Sequence, residues 1–137
     1  MSQSEYLDAI INKLGYSIVE RIKNQEGSEK NKLVRHIEKS LGVLVNDGVY
    51  AYYVFCISQD DPKKGKTLYT EIFITEIIEK LKHYIYFGNE TADNRTAQEF
   101  FELLSEDPHK LLFFREMLEK ALIYARYHAK ALGDDNE

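Results

Sequence analysis

The chain has 137 residues, 44% hydrophobic and 30% charged, with a net charge of −5. That length holds one domain with a real core and is too short for two, and the balance is globular rather than disordered. One cysteine excludes an internal disulfide, no segment nears the roughly 18 apolar residues of a membrane span, and MSQSEYLDAI lacks a secretory pattern. The expectation is a soluble, cytoplasmic domain spanning 1–137, with an acidic flexible tail over 133–137.

Six helices are expected, packed as a compact all-α bundle. The first covers 5–23, with Leu7, Ile10, Ile11, Leu14, Ile18 and Ile22 at helical spacing. Asn24–Gly27 ends it, and Ser28 is positioned to cap the second, which carries Leu33, Ile37, Leu41 and Leu44 on one side. Asn46-Asp47-Gly48 signals a turn. Val49–Ser58 follows, apolar nearly all round, which reads as a buried central helix. Its Val, Tyr, Phe and Ile also favour a strand, but no second strand candidate exists to pair with it. Within it Cys56 reads as a small buried hydrophobe rather than a reactive thiol.

Gln59–Lys66 is a polar loop with Asp-Pro and Gly, and a long helix should run from 67 to about 87. Residues 88–95 form a second loop. Thr96 is placed to cap a short helix to about 105. Pro108 then opens the last helix at its permitted first-turn position, with Gly133 as the stop.

Catalytic chemistry finds no support. His36, His83, His109 and His128 form no His-x-x-x-His pair, and the one Glu-x-x-His, Glu106 to His109, straddles Pro108 without a twin. No nucleophile motif or phosphate-cradling glycine loop is present, and no Arg precedes a His by the four to six residues that helical ribonucleases use. No metal, cofactor, small-molecule substrate or catalytic residue is expected.

Binding features are more informative. The net charge hides an asymmetry: residues 21–66 carry nine Lys/Arg against six Asp/Glu, and 71–107 carry three against nine. Lys32, Arg35, His36 and Lys39 stand at i, i+3, i+4 and i+7, one stripe opposite the apolar face, with only Glu38 nearby to neutralise it. Such a stripe can replace the counterions of a phosphate backbone, though a plain solvated helix face fits it as well. Lys63, Lys64 and Lys66 make a second, flexible basic cluster. On the last helix Arg126, Tyr127 and Lys130 mix cations with an aromatic ring, suited to stacking or to a protein interface.

Two segments carry a family resemblance. Leu41–Phe55 resembles the apolar helix, Gly turn and Phe-ended helix of the small subunit of type III-B CRISPR effector complexes, the Cmr small subunit. Phe114–Leu132 looks like that family's final helix, with an aromatic-Arg start, Glu-Lys-Ala-Leu and an aromatic-basic-Ala end. The resemblance implies a non-catalytic subunit of an RNA-guided, RNA-targeting complex in antiviral defence. Copies would stack into a filament beside other subunits, lining the channel for guide and target RNA. The acidic stretch 71–107 would then face a basic neighbour. A helical protein–protein adaptor without RNA contact, and the type III-A small subunit, are the alternatives.

Overall fold

The computed structural model describes residues 3–85 and 96–134. Among the described residues it is an all-α domain of six helices with no strand. The helices are α1 (Gln3–Lys23), α2 (Gly27–Asp47), α3 (Val49–Ser58), a composite rod α4 over 68–84, α5 (Ala97–Ser105) and α6 (Pro108–Asp134). The expected loop over 88–95 lies outside the described residues.

Helix ends follow local chemistry. Thr96 caps α5 through a reciprocal box: its hydroxyl accepts the Glu99 amide at 3.1 Å, and its own amide donates to the Glu99 carboxylate at 3.2 Å. At the start of α6, Asp107 Oδ1 accepts the His109 and Lys110 amides. Gly48 separates α2 from α3 with φ +98°, a conformation that a side chain would strain. Two expected boundaries are corrected. Ser28 does not cap α2, which begins at Gly27 after Glu26 with no side-chain cap. Gly133 does not stop α6, which runs on to Asp134.

The core is one continuous apolar cluster drawn from all six helices. Its closest seam is α1 against α6. There a Cβ added at Gly15 would lie 2.8 Å from Tyr124 Cβ and 2.9 Å from both Ala121 O and Ala125 N. Only glycine lets these two backbones meet at that spacing. Lys120 with Asp8 at 3.7 Å, and His128 Nε2 beside Asn12 Oδ1 at 3.2 Å, hold the rim of the seam.

The rod α4 is α-helical at Leu68–Thr70, π-helical at Glu71–Thr75, α-helical again at Glu76–Leu81 and 3₁₀ at Lys82–Tyr84. The wide π turn is served from two neighbours. Tyr52 of α3 donates its hydroxyl to Phe73 O at 2.7 Å, and Arg21 of α1 donates to Glu71 O at 3.3 Å. Ser17 and Arg21 both reach Glu76 just beyond it.

α3 is not the fully buried central helix its composition suggests. Tyr52, Tyr53 and Cys56 point inward, but Tyr50, Val54 and Ile57 are 44%, 44% and 36% exposed. With no charged residue on α3, an outward apolar stripe and a buried one look alike in the sequence.

Candidate nucleic-acid interface

The basic stripe of α2 overlooks a cleft of about 670 Å³, closed on its far side by the loop 59–67 and the first turn of α4. Lys32, Arg35 and Lys39 line one wall, Lys66 lines the other, and Leu68 and Tyr69 add apolar surface between them. Two carboxylates, Glu29 and Asp60, share the lining with these four cations.

Local bonding fixes the loop wall. Asp61 and Lys66 exchange backbone hydrogen bonds at 2.9 and 3.0 Å around the 3₁₀ turn Pro62–Lys64. Asp60 then turns inward, its two carboxylate oxygens accepting the amides of Tyr69 at 2.9 Å and Thr70 at 2.8 Å. These amides belong to the first turn of α4, where backbone donors have no helical partner, and a carboxylate there also meets the positive end of the helix dipole. Asp60 is therefore committed to holding α4, and the loop backbone is pinned rather than free as its composition suggests.

The four stripe residues do not stay together. Lys32, Arg35 and Lys39 are exposed, but His36 is 2% exposed. Its ring stacks on Phe55 at 5.2 Å between centroids and meets Tyr69 at 4.7 Å and Phe73 at 4.4 Å edge-on. Its Nε2 lies 3.3 Å from Cys56 Sγ. Burial, helped by Lys39 and opposed by Asp60, lowers its pKa from 6.5 to about 4, so it is neutral at physiological pH. His36 is thus a floor residue, not a surface phosphate contact. Position 36 borders the apolar arc, and α3 lying alongside α2 widens the buried face to include it. Burial also pushes the Cys56 thiol up, which keeps it protonated and unreactive.

Lys63 and Lys64 are exposed on the adjoining turn but do not line the cleft. Among the described residues, none of Lys32, Arg35, Lys39, Lys63, Lys64 and Lys66 has a carboxylate within ion-pair distance. Glu38, expected to neutralise the stripe, instead faces α6, where it sits 3.8 Å from Arg126 Nη1. Arg126, expected as a stacking or interface residue, thus has an ion-pair partner within the fold. Its guanidinium carbon also lies 5.7 Å from the Tyr127 ring centroid. Tyr127 is 60% exposed and Lys130 is exposed, but neither borders the cleft.

Asp60 and Tyr69 are the site residues that sequence spacing does not single out. Asp60 acts on amides nine and ten residues ahead, beyond the two- or three-residue reach of a cap pattern. Tyr69 reads as an ordinary core-edge aromatic, and only the loop closure places it beside the lysines.

Fold and cleft together define an all-helical domain with a basic recess. Among the described residues no group of three or more His, Cys, Asp or Glu could hold a metal ion, and no helix is long and apolar enough to cross a membrane. No family model, curated protein or solved structure matches the chain.

Proposed function

We propose that this domain is a non-catalytic RNA-binding subunit that lays its α2 cleft on a phosphate backbone, in the role of the small subunit of a type III-B CRISPR effector complex. One observation carries the RNA contact: Lys32, Arg35, Lys39 and Lys66 converge on a single recess without an ion-pair partner. Cations without an ion-pair partner keep a net attraction for phosphate, and they release counterions when they bind it. The subunit assignment draws on the resemblance of Leu41–Phe55 and Phe114–Leu132, and the Gly48 turn and continuous last helix suit it. In that role other effector subunits and neighbouring copies would cover part of the surface, and cleavage would belong elsewhere.

Fluorescence anisotropy with single-stranded RNA across a salt series tests the contact, comparing wild type with a Lys32/Arg35/Lys39→Ala triple variant. Removing three phosphate contacts should flatten the log–log salt dependence by about 2, at about 0.7 for each contact on a single strand. Identical affinity and slope for both proteins would sink the contact. Co-expression with the remaining type III-B subunits and guide RNA tests the assembly, where failure to co-purify would sink the subunit assignment.

A second reading, a helical adaptor that binds only protein, draws on the outward stripe Tyr50/Val54/Ile57 of α3. Exposed apolar residues aligned on one helix suit a partner's apolar face. Absence of RNA binding by the wild type, alone and in the complex, would favour it.

A further inference from the structure

We propose that the cleft is a single-strand site, in which one unstacked base lies on Tyr69 while its flanking phosphates rest on Lys32, Arg35 and Lys39 on one wall and Lys66 on the other. This rests on the RNA-binding reading above and adds which form of RNA the cleft takes and which residue selects it.

The cleft combines two features that a duplex groove would not need together. Its cations stand on opposite walls, and between them lies apolar surface from Leu68 and Tyr69. A volume of about 670 Å³ falls in the range of recesses that enclose a small organic group, about 300–1,000 Å³. An A-form helix keeps its base faces stacked inside and offers a recess only sugars, phosphates and base edges. A single strand can turn a base out, and any base offers a ring face to an aromatic platform.

Tyr69 is built as such a platform. It is only partly buried, and it lines the cleft. Phe73 backs it at 6.4 Å with an angle of 22° between ring planes, and His36 meets it at 74°. Its own backbone amide is fixed by Asp60. The platform is therefore held from behind before any ligand arrives.

The cation row is long enough to meet a backbone rather than a single phosphate. Positions 32 to 39 span about 10 Å along the helix axis at 1.5 Å per residue. Glu29 and Asp60 partly offset the four cations, and Asp60 is already engaged by two amides. The recess keeps a positive excess suited to a polyanion.

The test compares a short fluorescent oligouridylate with a duplex of equal length, using wild type, Tyr69→Leu and Tyr69→Phe at one salt concentration. Wild type should prefer the single strand. Tyr69→Leu keeps apolar volume without a ring, so single-strand affinity should fall about 5- to 100-fold, the span of one base–aromatic stack, with duplex affinity unchanged. Tyr69→Phe should behave as wild type, and circular dichroism checks that both variants are folded. Photo-crosslinking of 5-iodouridine RNA to the wild type gives an independent readout, with the adduct expected on Tyr69. Equal affinity for both RNA forms, an unchanged Tyr69→Leu, a Tyr69→Phe as weak as the Leu variant, or an adduct elsewhere would each overturn the proposal. If the lysine triple variant loses affinity while Tyr69→Leu does not, only the base platform fails. If neither loses affinity, the RNA-binding reading fails with it.

Discussion

The two sides of α2 handle charge in opposite ways. Toward α6, Glu38 faces Arg126, and the neighbouring α1–α6 seam is drawn tight by Gly15 against Ala121 and Ala125, with Lys120 answered by Asp8. Toward the loop 59–67, Lys32, Arg35 and Lys39 stand over an open cleft with no acid in ion-pair reach. On the closed side charge orients one helix against another. On the open side it is left for something outside the chain. The two sides should therefore separate experimentally: changes in the seam should alter stability and spare RNA, and changes at the cleft rim should do the reverse.

Acid should break this separation most strongly, because the cleft floor is also core. His36 has a folded pKa of about 4 against 6.5, so between those pH values the unfolded chain takes up a proton that the folded chain resists. Its neutral form is accommodated at no cost above about pH 6.5. As pH falls through the window toward 4, stability should drop by roughly 3 kcal/mol, at about 1.4 kcal/mol for each pH unit. Urea melts at pH 7, 5.5 and 4 would measure it. Carboxylates titrate there too, so the readout is the difference between wild type and His36→Leu, which should lack this component. Parallel pH profiles for the two proteins would show that His36 is not the titrating group.

Gly15→Ala should sharpen the contrast from the other side. Helix propensity alone favours alanine by about 1 kcal/mol. The added Cβ, however, meets backbone atoms of α6 that cannot rotate away, and overpacking costs typically 1–3 kcal/mol. Contacts of 2.8–2.9 Å, two of them to backbone, place the cost in the upper part of that range, so a net loss of about 1–2 kcal/mol in thermal melts is expected, with RNA affinity unchanged. A neutral or stabilised variant would mean that the seam is looser than its geometry. Glu38→Ala should have the smallest effect. The pair is 3.8 Å apart with Glu38 67% exposed, so about 0.2–1 kcal/mol is expected from the same melts.

Much of this fold is written locally. The turn at Gly48, the capping box at Thr96, the first-turn Pro108 and the bounds of α3 all follow from chemistry within a few residues. What escapes the sequence depends on neighbours distant along the chain. His36 looks like part of a surface stripe until α3 covers it, and Tyr50, Val54 and Ile57 look buried until α3 proves to have an open side. The cations of the cleft are legible as two separate clusters, on α2 and in the loop 59–67. That Lys66 joins the α2 row while Lys63 and Lys64 remain outside depends on the Asp61–Lys66 closure, which no spacing rule encodes. The pairing of Arg126 escapes the sequence because its partner, Glu38, lies 88 positions earlier in the chain.

The π turn at Glu71–Thr75 gives α4 one residue more than an α-helix of the same span would hold, and its lower twist absorbs that residue before Glu76. Deleting a single residue there would let the rod relax to an unbroken α-helix of the same span, and the segment beyond it would keep nearly its present facing. Glu76 would still face Ser17 and Arg21, and Ile77 and Leu81 would stay in the core. The loss of one residue at this point is therefore absorbed by the helix, whereas the same loss between Ser58 and Pro62 would pull Asp60 off the Tyr69 and Thr70 amides that it holds.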